Sequence, residues 1–323
     1  MPIPYSKRYL TIPEQISLLK SRGMVVSDET KAAMYLEQIG YYRLSGFWYP
    51  FRKFVLETTG TGGKTARRTD DFKEGTDFRN VVDLYVFDRA LRLLFLDAIE
   101  RTEVALRVDI ALRLGARHPC AHRIPTEVHG NFSRIPLGRV TSDHDEWLGR
   151  LDLRVGRAKE EFVEHFRRNY EPPIPLWVVI ELWDFGLLST FASGMKWQDL
   201  QDFGQKFGVP RPELFTSWLR AINHVRNICA HHGRLWNRTL VDQPKPPKQG
   251  EIEYQNHWIG DSKAREKPYC VAVILKQFLD VINPTSTWGR RLKDLARSFP
   301  SGSGLSLRDA GFPENWEQEK LWE

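Results

Sequence analysis

One long stretch of helical patterning, residues 78–117, constrains the fold of this chain more than any other feature. Oppositely charged residues recur four positions apart along it, where side chains meet on one face of a helix. A solvated, salt-bridged face explains most of these pairs more simply than a catalytic role. The pairs are Asp88–Arg92, Asp97–Arg101, Glu103–Arg107 and Asp109–Arg113.

Most of the remaining sequence is also patterned as helix. Thr11 is expected to cap a first helix that ends at Gly23, and Ser27 or Asp28 a second that ends at Gly40. Further helices are predicted at 144–169, 175–194, 197–207, 212–232 and 268–283, with shorter ones at 287–299 and 313–320.

Three stretches lack this pattern. Residues 41–56 are rich in aromatic side chains and are predicted to be irregular, apart from a strand near Phe51 to Leu56. Residues 57–77 predict an exposed loop or hairpin, and 118–142 and 242–250 predict loops. We therefore expect an all-α fold, a helical bundle with an irregular aromatic and basic hairpin insertion and a C-terminal helical appendage. Its predicted divisions are 1–77, 78–284 and 285–323.

The composition is that of a globular protein, with 41% hydrophobic and 27% charged residues among 323. The net charge of +6 permits an anionic partner such as nucleic acid but does not require one. Three scattered cysteines, at positions 120, 229 and 270, argue against a disulfide framework and indicate a reducing compartment. The N-terminus lacks the apolar core of a signal peptide, and Glu181 and Asp184 interrupt the most apolar stretch. We expect a cytoplasmic protein with no membrane partner.

Two motifs resemble ligand sites without meeting their requirements. The segment "TTGTGGKT" (58–65) resembles a phosphate-binding loop, but Thr58 replaces the first glycine and a poor helix former follows Lys64. A basic hairpin carrying Lys64, Arg67 and Arg68, able to touch phosphates nonspecifically, is the better interpretation. The alternation of His118, Cys120 and His122 suggests zinc, but a structural zinc site needs four ligands. We expect no metal and no cofactor.

The segment "HVRNICAHHGRLWNR" (224–238) concentrates the residue types that metal-independent RNA cleavage needs. Histidine suits proton transfer because its pKa lies near neutrality, and arginine donates two parallel hydrogen bonds to a phosphoryl group. Arg226, Asn227 and His231 supply a cation, an orienting amide and an imidazole. An arginine followed five positions later by a histidine occurs four times in the chain, so spacing alone does not select this copy.

Context singles out this copy, because it alone is predicted to lie within a two-faced helix. Ile222, Val225, Cys229 and His232 are expected on the buried face. Asn223, Arg226, Asn227, Ala230, His231 and Arg234 are expected on the other. Residues 216–240 contain no carboxylate, so the arginines there either bind an anionic partner or pair with carboxylates from elsewhere in the fold. Residue types leave these two interpretations equally open.

Helix geometry favours two copies of the chain around one site. Positions five apart point about 140° away from each other, so Arg226 and His231 do not share a face. Two helices across a two-fold axis would bring two arginines and two histidines to one cleft, which predicts a homodimer with a composite site.

Several segments together resemble a known family. "RNICAHH" followed by "RLWNR" resembles the R-N-x-x-x-H segment of HEPN ribonucleases, in the form carried by Abi-like (abortive infection, AbiD/AbiF type) proteins. "IGYYRLSGFWYPFR" (39–52), "AIERTEVALR" (98–107) and "PLWVVIELWDFGLLS" (175–189) resemble other segments of that family in the same order. The resemblance implies a HEPN-type helical bundle that is usually dimeric, metal-independent and linked to phage defence through RNA cleavage or toxin–antitoxin behaviour.

The resemblance also implies roles for individual residues. Arg226 and His231 would be the catalytic pair, Asn227 the polar residue beside the arginine, and Glu103 and Arg107 would face the same region. The expected function is a metal-independent endoribonuclease. The alternatives are a non-catalytic protein that holds a small RNA, as guide or antitoxin, and a protein–protein module. Further RNA contacts are predicted at Asn223, His232, Arg234, Asn237 and Arg238, and in the hairpin at Lys64, Arg67 and Arg68.

Overall fold

The computed structural model describes residues 4, 6, 8–58, 63–300 and 304–323, and they are mostly helical. The chain divides into two compact units. Unit 1 comprises Met1–Leu91 with Asp294–Leu307, and unit 2 comprises Arg92–Lys293 with Arg308–Glu323. Within the described residues no helix combines the length and the apolar character needed to cross a membrane. The division into 1–77, 78–284 and 285–323 stays a prediction.

Unit 1 begins with three helices, α1 (Ile12–Ser21), α2 (Glu29–Ile39) and α3 (Tyr41–Trp48). The predicted caps are confirmed: the Thr11 N–H donates to the Glu14 carboxylate at 2.8 Å, and Asp28 accepts from the Lys31 N–H at 2.9 Å. Gly23 and Gly40 follow these helices with φ of +87° and +90°, a conformation that glycine adopts without steric cost.

The prediction of irregular structure over residues 41–48 is wrong, because this stretch forms α3. Leu44, Phe47 and Trp48 are buried on one side of the helix, and the Trp48 ring meets the rings of Tyr41 and Phe72 edge-on at 4.8 and 6.4 Å. Burial of this face outweighs the poor helix propensity of aromatic residues and of glycine. A 3₁₀ turn, Tyr49–Phe51, then accommodates the proline.

The predicted hairpin is confirmed and forms the two-stranded sheet of the described residues. Strand β1 (Arg52–Thr58) pairs with β2 (Lys64–Phe72) in antiparallel register, with Val55 opposite Arg67. Lys64 and Thr65 begin β2, so a strand follows the sequence that resembles a phosphate-binding loop. Residues 59–62 of that sequence lie outside the described residues.

A single long helix, α4 (Phe78–Gly115), confirms the helical prediction for residues 78–117. Arg101 pairs with Asp97 at 2.9 Å, and Arg113 pairs with Asp109 at the same distance. The prediction of a solvated face is wrong in part, because Asp88, Arg92 and Asp109 are buried. A helix surrounded by others buries charged side chains that sequence spacing alone would assign to solvent.

The remaining helices of the described residues belong mainly to unit 2, and eight of them are longer than four residues. They are α5 (Gly130–Ser133), α6 (Asp143–Arg157), α7 (Glu161–Asn169), α8 (Leu176–Val179), α9 (Phe185–Ser193), α10 (Trp197–Lys206), α11 (Pro212–Ala230), α12 (Asn256–Ile259), α13 (Ser262–Glu266), α14 (Pro268–Ile282) and α15 (Trp288–Arg297).

The structure corrects several predicted boundaries. The predicted helix 144–169 is two helices, because Ala158 adopts an extended conformation between α6 and α7. The predicted helix 175–194 is the short α8, a 3₁₀ turn over Ile180–Leu182 and then α9, whose N-cap is Asp184. The predicted helix 313–320 is replaced by 3₁₀ turns at Trp316–Gln318 and Lys320–Trp322.

Three tryptophans of the predicted C-terminal appendage pack into unit 2. Trp288, Trp316 and Trp322 are buried, and the Trp322 indole N–H donates to the Tyr269 hydroxyl at 3.0 Å. The Trp288 indole N–H donates to the Leu94 carbonyl at 2.8 Å. Large aromatic side chains with satisfied N–H groups contribute strongly to a core, so the end of the chain is part of the packing of this unit.

The buried imidazole of His122 makes the stability of unit 2 depend on pH. Its ring meets those of Trp147 and Trp183 and is almost completely buried. Burial, followed by the charges of Arg123 and His144, lowers the pKa of His122 from 6.5 to about 3. Between pH 6.5 and about pH 3, His122 is therefore protonated in the unfolded chain but neutral in the folded chain. The free energy of unfolding falls as the pH falls through this range.

Lowering the pH from 7 to 5 is expected to reduce the free energy of unfolding by about 2 kcal/mol through His122. His122→Leu should remove this part of the pH dependence, and urea unfolding at both pH values measures it. His165→Leu, which changes an exposed histidine on α7, is the control and should keep the dependence. Equal pH dependence in His122→Leu and the unaltered chain would contradict the prediction.

Candidate active site

The C-terminal end of α11 determines where the motif residues lie. The Gly233 N–H donates to the Ile228 carbonyl at 2.8 Å, and the His232 N–H donates to the Cys229 carbonyl at 3.1 Å. This is the Schellman pattern, with His232 in the left-handed position at φ 58°. Histidine tolerates this conformation better than most residues. The helix therefore ends at Ala230, and His231 is its C-cap.

This helix end corrects two expectations. His231 follows the helix rather than lying within it, so the predicted helix 212–232 is two residues too long. His232 is exposed, whereas the pattern placed it on the buried face with Ile222, Val225 and Cys229, which are buried. The left-handed turn at His232 removes it from the helical repeat.

Arg226 lines a cleft of about 650 Å³ within unit 2. The cleft is built by α4, by the end of α6 and the segment after it, by the turn before α9, and by α11. Its lining residues are Glu103, Arg107, Arg154, Arg157, Ala158, Lys159, Glu160, Glu181, Leu182, Trp183, Asp184 and Arg226.

Glu103 and Arg107 form a nearly buried ion pair in this cleft, with side chains 12% and 16% exposed. Arg107 also donates to the Trp183 carbonyl and lies 3.8 Å from the Glu181 carboxylate. Burial raises the pKa of Glu103, against the opposing charges of Arg107 and Arg226. The predicted placement of Glu103 and Arg107 near the motif arginine agrees with this geometry.

Asp184 fixes the other side of the cleft as the N-cap of α9. Its carboxylate accepts the Leu187 N–H at 2.8 Å and pairs with Arg154. Burial alone would raise the pKa of Asp184, but the Leu187 hydrogen bond and the charges of Arg154 and Arg226 hold it below its ordinary value. The Asn223 side chain lies close to this helix start, beside Gly186.

Arg226 is half-buried and donates to the Asn227 side-chain oxygen at 3.4 Å. It forms no ion pair within 4 Å with any carboxylate of the described residues. Its charge nevertheless acts on two nearby carboxylates: it opposes the burial that raises the pKa of Glu103, and it helps to hold the pKa of Asp184 below its ordinary value. Carboxylates outside residues 216–240 therefore approach this segment, and Asp242 likewise lies 3.7 Å from His224. Among the described residues none of them forms an ion pair with Arg226, so its guanidinium is able to bind a further anion.

The family model of the Abi-like proteins matches residues 34–237. The chain belongs to the Abi-like family. Membership indicates an abortive-infection protein of phage defence. Comparison with curated proteins and with solved structures gives no match.

The Abi-like match contains Glu103, Arg107, Arg226, Asn227 and His231. Glu103, Arg107 and Arg226 line one cleft, and Asn227 accepts a hydrogen bond from Arg226. His231 is exposed at the end of α11 and is not among the residues that line the cleft. In one copy of the chain the arginine of the motif thus lines the cleft and the histidine does not.

The other predicted contacts of the segment lie beyond the helix end. Arg238 and His232 are exposed, whereas Arg234 and Asn237 are half-buried. The Asn237 carbonyl accepts from the Lys267 ammonium at 2.9 Å. Burial, followed by nearby cations that include Arg234, lowers the pKa of Lys267 despite two neighbouring carboxylates.

The hairpin residues Lys64, Arg67 and Arg68 belong to unit 1, whereas the residues that line the cleft belong to unit 2. Lys64 and Arg67 are exposed. Arg68 instead donates to the carbonyls of Pro50 and Arg52 at 3.2 and 3.0 Å and lies over the Tyr49 ring. These contacts indicate that Arg68 holds the hairpin to the preceding turn.

Within the described residues, no group of three or more His, Cys, Asp or Glu side chains is arranged to hold a metal ion. His118 accepts the Cys120 N–H at 3.0 Å, and His122 is buried among tryptophans. Cys229 is buried, as its place in the apolar stripe predicts.

No role was predicted from the sequence for the cations of α6 that border the cleft. Arg154 and Arg157 line the cleft, and Arg150 precedes Arg154 by four residues, which places all three on one helix face. That spacing was visible in the sequence. Its nearness to Arg226 was not, because α6 and α11 are far apart along the chain.

Proposed function

We propose that this Abi-like protein is a metal-independent endoribonuclease of the HEPN type, acting in abortive infection and toxin–antitoxin behaviour. The observation that carries the proposal is Arg226, a cation at a cleft that has no ion-pair partner among the described residues, followed by an exposed histidine at the end of the same helix. A cation and a proton-transfer group are the two components that RNA cleavage by the 2′-hydroxyl needs.

In the proposed reaction the 2′-oxygen attacks the adjacent phosphorus and the bond to the 5′-oxygen breaks. Arg226 donates hydrogen bonds to the non-bridging oxygens and stabilises their developing charge. Asn227, which accepts from Arg226, orients the guanidinium. His231 takes the proton of the 2′-hydroxyl and then donates a proton to the leaving 5′-oxygen. The products carry a 2′,3′-cyclic phosphate and a 5′-hydroxyl.

A homodimer would supply the groups that one copy separates. His231 does not line the cleft of Arg226 in the same chain, and a two-fold axis beside α11 would bring a second histidine to it. A C2 arrangement uses the same surface on both copies and therefore gives two arginines and two histidines per composite site. The same separation of Arg226 from His231 favours, as a second candidate, a non-catalytic protein that holds a small RNA.

Cleavage of RNA in EDTA tests the proposed chemistry. The purified protein should cut single-stranded RNA in excess EDTA, giving fragments with a free 5′-hydroxyl and a 2′,3′-cyclic phosphate. A 2′-deoxy nucleotide at the cleaved position should block cutting there, because it removes the nucleophile. Gel electrophoresis with end labelling and mass spectrometry of the fragments measures both results.

The double variant R226A/H231A, purified in the same way, is the control for contaminating nucleases. Cleavage that EDTA abolishes and a divalent cation restores, or cleavage at the 2′-deoxy position, would contradict the mechanism. RNA binding that falls steeply with salt, without any cleavage, would instead support the second candidate.

A further inference from the structure

Three cations beside the Arg226 cleft form no ion pair with the described residues. Arg150 and Arg157 lie on α6, and Lys159 lies two residues after Arg157; all three are exposed. Arg154 stands between the two arginines on the same helix face and pairs with Asp184. Seven residues of helix separate Arg150 from Arg157 by about 10 Å, so the row extends well beyond a single ion pair.

These cations are continuous with the candidate active site. A second cleft, of about 440 Å³, is lined by Arg150, Leu153, Arg154, Arg157, Asp184 and Leu187. Arg154, Arg157 and Asp184 line both this cleft and the one that contains Arg226. A chain-like ligand could therefore follow one path from Arg150 to Arg226.

Positive charge prevails along this path. Six cations and four carboxylates line the two clefts. Arg107 engages Glu103 and Glu181, and Arg154 engages Asp184, so three of the four carboxylates already face an arginine. Glu160 is the remaining carboxylate, against Arg150, Arg157, Lys159 and Arg226. The two clefts therefore carry a net positive charge, which favours an anionic ligand.

Unpaired arginines are not the rule in this region. Arg123 pairs with Asp152 at 2.7 Å, and Arg139 pairs with Asp143 at 2.6 Å. On α7, Arg167 pairs with Glu164 at 2.5 Å. Carboxylates are therefore available to neutralise arginines on and around α6, yet Arg150 and Arg157 pair with none in the part of the chain that the structure describes.

We propose that Arg150, Arg157 and Lys159 form a phosphate-binding track that leads an RNA strand to Arg226. This inference rests on the proposed function and adds the path by which the substrate reaches the site. Cations that contact phosphates bind the backbone and fix its register without reading its sequence. The track thus binds RNA of any sequence, and Arg154 is a positioning residue that holds Asp184 beside it.

Binding of labelled single-stranded RNA to the uncleaving H231A variant tests the track. R150A/R157A should reduce the slope of log K against log salt concentration by about 1.4, because each lost phosphate contact removes about 0.7. The affinity lost by R150A/R157A, relative to the unaltered track, should therefore be about 25-fold greater at 0.1 M salt than at 1 M salt. The control R168A/R290A removes two exposed arginines outside both clefts and should keep the slope.

The outcomes separate this inference from the proposed function. If the protein with Arg150 and Arg157 intact cleaves RNA, and R150A/R157A matches the control in affinity and salt slope, the track is wrong and the ribonuclease proposal stands. If RNA is neither bound nor cleaved by the unaltered chain, both are wrong. A steeper loss of affinity for one RNA sequence than for others would also overturn the track, because phosphate contacts act uniformly.

Discussion

Replacing His231 with alanine is expected to slow RNA cleavage by about 10²–10⁴-fold while RNA affinity changes little. The imidazole transfers a proton in the proposed reaction, and it is exposed outside the arginine cleft, where it contributes little to binding. Arg226→Ala should slow cleavage by a similar factor and also weaken binding, because its guanidinium contacts phosphate in both the bound and the transition states. Single-turnover rates with saturating RNA, beside equilibrium binding, separate the two effects.

Two matched variants control for the loss of a histidine or an arginine at the surface. His165→Ala changes an exposed histidine on α7, and Arg220→Ala changes an exposed arginine earlier on α11. Both should cleave RNA at nearly the rate of the unaltered chain. Unchanged cleavage in His231→Ala would remove its role in proton transfer. If Arg226→Ala loses only affinity and keeps its maximal rate, the arginine binds substrate without stabilising the transition state.

Replacing Arg107 with alanine is expected to reduce the free energy of unfolding by about 3–5 kcal/mol. The variant leaves the nearly buried carboxylate of Glu103 without its closest partner and the Trp183 carbonyl without a donor. Removing one member of a buried ion pair exposes the full desolvation cost of the other. Equilibrium urea unfolding at pH 7 measures the loss.

The same variant should be less destabilised at low pH. Burial already raises the pKa of Glu103, and loss of Arg107 raises it further by removing the opposing charge. In this variant, Glu103 therefore binds a proton more tightly in the folded chain than in the unfolded chain, at pH values above the ordinary pKa of glutamate. Stability lost at pH 7 returns as the pH falls towards that value, because Glu103 becomes neutral.

Two comparisons distinguish a buried pair from an ordinary one. The double variant Glu103→Gln/Arg107→Met should recover most of the stability, because it removes both charges together. Arg101→Ala breaks a more exposed pair on the same helix and should cost about 1 kcal/mol or less. If Arg107→Ala loses no more free energy of unfolding than Arg101→Ala, the Glu103–Arg107 pair contributes only as much as an exposed ion pair, and the prediction is wrong.

The sequence predicted the positions of α1, α2 and α4 correctly, because helix caps or regularly spaced charge pairs marked them. Thr11, Asp28 and the charge spacing of α4 were sufficient, because they act through neighbours within one or two turns. The aromatic stretch of α3 was mispredicted because burial of Trp48 against Phe72, which is distant along the chain, decides its conformation. The end of α11 was mispredicted because His232 adopts the left-handed conformation usually taken by glycine.

The sequence by itself determined the helical class, the family segments and the motif residues Arg226, Asn227 and His231, since these depend on residue types and local spacing. Only the tertiary structure decided what surrounds Arg226. It brought Glu103 and Arg107 from α4, Asp184 from the start of α9 and the cations of α6 to the cleft. It also placed His231 at the C-cap of α11, outside the lining of that cleft. Distances between segments far apart along the chain arise from packing, which no local pattern encodes.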